Sequence, residues 1–214
     1  MPTRRTAFTL LELLAVIAVI GILAAILFPG IRAARVAAGK ARTRVQFSQW
    51  TAAIEAFRSE YGYYPAFHAS GLVNPPGQNS DPASLHLFHD VLAAKRRDGS
   101  VLPVYASGAD PQYPEAQNRK LIGFYVFSES DFSESAFLRD AFGNTEIAIL
   151  VDKNLDGVVR IGGDSGDYSV LPAVGGLTPA SADIPTGGIK AGVIFYAPAP
   201  AATAAMPAFL FSWK

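Results

Sequence analysis

Between Phe8 and Phe28 the chain runs for 21 residues with a single charge, Glu12. At ~1.5 Å per residue, a helix of that length crosses a hydrocarbon core of about 30 Å. The apolar residues then thin out through an Ala-rich stretch bearing Arg32, Arg35, Lys40, Arg42 and Arg44. They return as Phe47, Trp50, Ile54, Phe57 and Tyr61. These five recur at +3, +4, +3 and +4, the spacing of one buried helix face. Pro29-Gly30 is expected to bend or loosen the helix, because proline lacks the amide donor and crowds the preceding turn. Gly62 and Pro65 end it. From Phe8 to Tyr61 the helix has 54 residues, roughly 80 Å, more than a small soluble domain needs.

Beyond Gly62 the character changes. Residues 62–82 read as a loop rich in Gly, Pro, Asn and Ser. Asp81-Pro82 opens a short predicted helix whose buried face is Leu85, Phe88 and Leu92, with Lys95-Arg96-Arg97 near its end and Gly99 as its stop. Residues 98–120 are again loop-like. Strands are predicted at Leu121–Phe127, Thr145–Val151, Val158–Ile161, Gly192–Ala197 and Ala208–Trp213, all rich in β-branched and aromatic residues. The expected fold is α+β: a long amino-terminal helix whose second half packs on a small antiparallel sheet, burying the aromatic stripe and one sheet face.

Charge divides the chain in the same place. Up to Arg44 there are seven basic residues against Glu12 alone; after it there are eleven basic and seventeen acidic, a balance of −6. A basic stalk and an acidic head suit subunits that pack together, or a stalk near anionic lipid. With no cysteine, disulfides and thiolate metal sites are excluded. The apolar run is too long for a conventional secretory signal, and the acid inside it argues against a twin-arginine signal despite Arg4-Arg5. A carboxylate held at membrane depth costs roughly 2.5–3.5 kcal/mol, which marks Glu12 as functional unless it only snorkels to the interface. Cleavage between Ala7 and Phe8 would create an α-amino group four residues from Glu12. At that spacing cation and anion share a helix face, and a neighbouring subunit could equally supply the cation.

"AFTLLELLAVIAVIGILAAILFP" closely resembles the prepilin-type cleavage and methylation segment of type IV pilins and type II secretion pseudopilins. Phe8 matches the first mature residue, which that family N-methylates. Thr9-Leu10-Leu11-Glu12 matches its Thr-Leu-(Ile/Leu)-Glu, and Pro29 its helix-kinking proline. Ala7 stands where the family has Gly. The resemblance implies a leader at 1–7, a transmembrane and assembly helix at 8–28, the periplasmic half of the helix at 29–61 and a globular head at 62–214. It implies a structural subunit rather than an enzyme, with prepilin peptidase, an inner-membrane assembly platform, lipid, copies of itself and other pilin-like subunits as partners. The filament is a type II secretion pseudopilus or a type IV pilus. By loop charge alone, the five cations at 32–44 would hold the carboxy-terminal side in the cytoplasm. The resemblance places the leader there and the head in the periplasm, and a processing motif is more specific than a charge count. Asp140-Ala141-Phe142-Gly143-Asn144 resembles the Asp-x-aromatic-Gly turn of major pseudopilins.

Candidate chemistry in the head is sparse. In "DKNLDG", Asp152, Asn154, Asp156 and the Val158 carbonyl occupy positions 1, 3, 5 and 7 of an EF-hand-type calcium loop, with Gly157 at position 6. Position 12 is Gly163 instead of a bidentate Glu, although Asp164 and Asp167 are close. The competing expectation is a plain hairpin turn joining strands that end at Val151 and begin at Val158, for which Asp156-Gly157 suffices. Major pseudopilins hold a structural calcium in a carboxy-terminal loop. "VIFYAPAPAA" replaces the segment that follows it there, so no ligands are carried over. No cofactor is required; calcium is the one candidate. His86 and His89 lie one helical turn apart beside Asp90, with His68 as a distant third ligand, but a solvated helix face explains them better. The Arg32–Arg44 cluster lacks interleaved aromatics, which argues against nucleic acid. No Walker loop, Gly-x-Ser-x-Gly or His-Glu-x-x-His motif is present. The contrasting possibilities are a membrane-anchored, calcium-binding periplasmic protein that does not polymerise, and an exported enzyme with a cleaved signal.

Overall fold

The computed structural model describes residues 10–105, 110, 113–162 and 166–214. The chain divides into two units, residues 1–39 and residues 40–214. Helix α1, Leu10–Tyr61, contributes residues 10–39 to the first and 40–61 to the second.

In the first unit the helix continues through Pro29 without interruption, so the expected loosening takes no form of a break. Proline's missing amide leaves one carbonyl a turn earlier without its helical partner, a local cost that a long apolar helix absorbs. The large apolar side chains from Leu10 to Phe28 are exposed, most of them by more than half.

The second unit is built on the rest of α1. Phe47, Trp50, Ile54 and Phe57 are fully buried there, and Thr43 and Ala53 extend the stripe. Gly62 closes the helix, its amide donating to the Arg58 carbonyl at 2.7 Å. The sheet is three-stranded and antiparallel, ordered β1 (Ala148–Val151), β2 (Val193–Pro198), β3 (Phe209–Phe211). Val151 pairs with Val193, and Tyr196 with both Ala148 and Phe211.

Both sheet faces are buried, where the sequence predicted one. Ile149, Val151, Val193, Phe195 and Ala197 face the α1 stripe, and the Phe47 and Phe195 rings stack 5.4 Å apart. Ala148, Leu150, Ile194 and Tyr196 point the other way, against Val159, Val174 and Ile189. The segment between β1 and β2 folds over that second face. Strands buried on both sides need apolar residues at every position, as "AILV" and "VIFYA" have.

Three predicted elements differ. Residues 121–127 form no strand: the Phe124 and Tyr125 amides both donate to the Leu92 carbonyl, and Phe124 packs edge-on against Phe57. Residues 158–161 contribute only isolated bridges, Val159 to Ile189 and Ile161 to Tyr168. The short helix α2 spans Leu87–Ala93, later than expected, because Asp81 accepts from the Ala83 amide and sets up a turn instead. It stops at Ala94, a left-handed residue, ahead of Gly99, and Leu85 is left exposed. A one-turn helix α3, Pro114–Gln117, completes the set. Gly192, just before β2, sits where any Cβ would collide with the Tyr64 hydroxyl and the Glu55 carboxylate.

Candidate functional site

The amino-terminal segment presents an apolar helix that its own chain does not cover. α1 is long and apolar enough to cross a membrane, and none of its most apolar stretch is buried within the chain. Glu12 lies exposed in the first helical turn, where a carboxylate complements the helix dipole. Ala7 and Phe8 lie outside the described residues. Pro29 is inside α1.

In the second unit, the Asp140–Asn144 turn clasps α1. Asp140 is buried, and its Oδ1 accepts from the amides of Phe142 and Asn144, both at 2.8 Å. Its Oδ2 accepts from Asn144 Nδ2 at 2.8 Å, and the same Nδ2 donates to the Pro198 carbonyl at the end of β2. Gly143 adopts φ +84°, a left-handed conformation that favours glycine. The turn is tied to the helix by the Ala141 amide donating to Thr43 Oγ1 and by Gln46 Nε2 donating to the Arg139 carbonyl. The residue types of the motif thus divide the work, with Asp140 as acceptor, Gly143 as left-handed corner and Asn144 as anchor to the sheet. Sequence reading missed Thr43 and Gln46. The signal was available, since Thr43 lies four residues before Phe47 on the same helical face.

The other end of α1 is held by Asn118, fully buried and fully used. Its Nδ2 donates to the carbonyls of Val91 and Ile122, and its Oδ1 accepts from the Tyr61 hydroxyl and the Ile122 amide. Tyr64 caps the same region, donating to Glu55 Oε1 and accepting from Arg58. Burial, reinforced by the Glu55 carboxylate, pushes its hydroxyl pKa up to about 12.

The Asp152–Val158 loop closes on itself. Asp152 is fully buried, and its two oxygens accept from the amides of Asp156, at 3.3 Å, and Gly157, at 2.7 Å. Asn154 Oδ1 also accepts from the Asp156 amide, and Asp156 Oδ1 accepts from the Val158 amide. Asp156 pairs with Arg160, which holds its carboxyl below the usual carboxylate range. Asp167 accepts from the amides of Lys153 and Arg160. Gly163 and Asp164 lie outside the described residues. Among the described residues, no three His, Asp or Glu side chains are grouped so as to hold a metal ion. The loop is not the turn of a hairpin between strands at 151 and 158: β1 pairs with β2, and Val159 bridges Ile189. The amides inside the loop, and not a paired return strand, shape it.

His86 and His89 are buried, contrary to the solvated face expected of them. His89 Nδ1 lies 2.9 Å from Asp90 Oδ1, and its ring packs between Phe127 and Phe132. Asp90 is fully buried; its Oδ2 accepts from Arg96 at 2.7 Å and from the His86 amide. These groups pin the ends of α2. The charge is compensated within the cluster, as a buried carboxylate requires.

Comparison with known proteins bears on the amino-terminal segment alone. No curated protein and no solved structure matches the chain. Residues 2–28 match the family model described as the prokaryotic N-terminal methylation motif, and that segment is the prepilin-type cleavage and methylation segment of type IV pilins and pseudopilins.

Proposed function

We propose that this chain is a structural subunit of a type II secretion pseudopilus or a type IV pilus. Prepilin peptidase removes residues 1–7 and Phe8 is N-methylated. The subunit waits in the inner membrane with its head in the periplasm, then joins a filament with copies of itself and other pilin-like subunits through an assembly platform. The observation that carries this is the apolar first part of α1, exposed along its whole length directly under a methylation motif. Such a surface needs lipid or neighbouring helices around it. Exchanging one for the other is nearly neutral in hydrophobic terms, so packing and polar pairing must set the preference. Gly21 and Gly30 support this, since a Cβ at either would meet nothing in the chain; the space they leave is open to a neighbour. Glu12 pairs with the positive chain end that cleavage creates on an adjacent subunit.

Amino-terminal sequencing and intact mass of the protein from a host with a prepilin peptidase test this. The expected mature chain begins at methylated Phe8. A chain that retains Met1 while still forming fibres would refute it, and a start near residue 38 would identify an ordinary secretory signal.

A further inference from the structure

We infer a second contact between copies of this chain, head to head, in which the acidic loop 128–134 of one copy enters a cationic cleft of the next. The inference rests on the filament reading above and adds the surface that sets the lateral register.

Helix α1 carries two different flanks beside its buried face. At ~100° per residue, Arg44, Ser48 and Thr51 fall roughly 70–130° to one side of the stripe centred on Phe47, Trp50 and Ile54, while Arg42 and Gln46 fall roughly 70–110° to the other. The first flank opens on a cleft of 360 Å³ walled by Arg44, Ser48, Thr51, Lys190, Ser212 and Trp213, among others, with no acidic residue in its lining. Arg44 and Lys190 are exposed, and neither makes an ion pair among the described residues. Two cations and three hydroxyls describe a receptor for carboxylates.

The opposite flank supplies carboxylates. Ser130 and Asp131 line a groove there with Arg42 and Gln46, so the loop "SESDFSE" sits on that side of the helix. Glu129 stands out by 87 % of its side-chain surface even while paired with Arg97, and Glu134 is exposed with no ion pair among the described residues. Donor and acceptor surfaces on opposite flanks of one helix cannot satisfy each other within a chain. Across copies they make a heterologous contact, the kind from which an open filament is built. Charge of opposite sign also steers the approach.

The chain has no cysteine, so introduced thiols are the only ones present. Ser48→Cys, in the cleft wall, and Ser135→Cys, beside the acidic loop, leave the charges in place. Both variants of the full chain, differently tagged, are co-expressed in a host that assembles filaments, and the membranes are treated with a short bis-maleimide. A mixed dimer is expected, and a chain bearing both thiols gives a ladder. Lys190→Glu in the Ser48→Cys copy should lower the mixed dimer at least tenfold, and Glu134→Lys in the other copy should restore it. Absence of the mixed dimer, its insensitivity to Lys190→Glu, or its displacement by inorganic phosphate at constant ionic strength would overturn the contact, the last by making a free anion the occupant. Electron microscopy of the same cells separates the two levels. Filaments without the mixed dimer sink only this contact, whereas missing filaments count against the assembly reading as well.

Discussion

Asp140 offers the sharpest test of how the head is fastened to α1. Asp140→Ala removes the acceptor of three hydrogen bonds, from the Phe142 amide, the Asn144 amide and Asn144 Nδ2, each 2.8 Å long. Leaving a buried donor without a partner costs ~1–3 kcal/mol. Phe142 and Asn144 are half-buried, so water recovers part of that, and the expected loss is about 3 kcal/mol in total. For a head of this size, that is a fall of roughly 6–12 °C in Tm. Asp140→Asn keeps one oxygen for the two backbone amides but turns an NH2 toward Asn144 Nδ2. It should lose about 1 kcal/mol, the scale of a single hydrogen bond. Thermal and urea unfolding of the full chain in detergent, followed by tryptophan fluorescence, reads both, with Trp50 reporting on the helix–sheet core that the turn closes. An Asp140→Ala chain within about 0.5 kcal/mol of the parent, or an Asp140→Asn chain as damaged as Asp140→Ala, would show that the carboxylate does not organise the turn.

Glu12→Ala should leave the protein in the membrane fraction but abolish filaments, checked by fractionation and electron microscopy; normal filaments would contradict the pairing with a neighbour's amino terminus. Asp152→Asn replaces an acceptor of the Gly157 amide and should cost ~1–3 kcal/mol, equally with and without a calcium chelator. If the chelator lowers the parent to the level of the variant, a bound ion and not the amides is what Asp152 holds. Alkaline stability follows the buried tyrosines. The unfolded chain ionises tyrosine near pH ~10, whereas burial holds the protons of Tyr64 and Tyr168 to about 12. Their contribution is therefore complete below pH ~10 and is lost as pH rises through that window. Urea midpoints that stay flat up to a pH of about 12 would refute this.

The helix, its aromatic stripe and the amino-terminal motif were all legible in the residue order, because each is local. A span long enough for a bilayer and a buried face at +3, +4 spacing need no information from elsewhere in the chain. Phe47, Trp50, Ile54 and Phe57 are accordingly the centre of the core. β1, β2 and β3 were likewise found near their true positions, as runs of β-branched and aromatic residues. What the sequence could not settle were relations between distant segments. "GFYVF" at 123–127 has strand composition, yet the Leu92 carbonyl takes the Phe124 and Tyr125 amides, the Phe124 ring packs on α1 and the Phe127 ring on α2, so no ladder forms. "VDKNLDGVV" looks like a hairpin only while β1's partner is unknown; β2, far along the chain, claims that edge. His86, His89 and Asp90 read as a wet helix face until loops 78–81 and 127–132 close over them. Periodicity along one element determines which side is apolar. Which segment arrives to cover that side is decided by long-range closure, and only the tertiary structure records it.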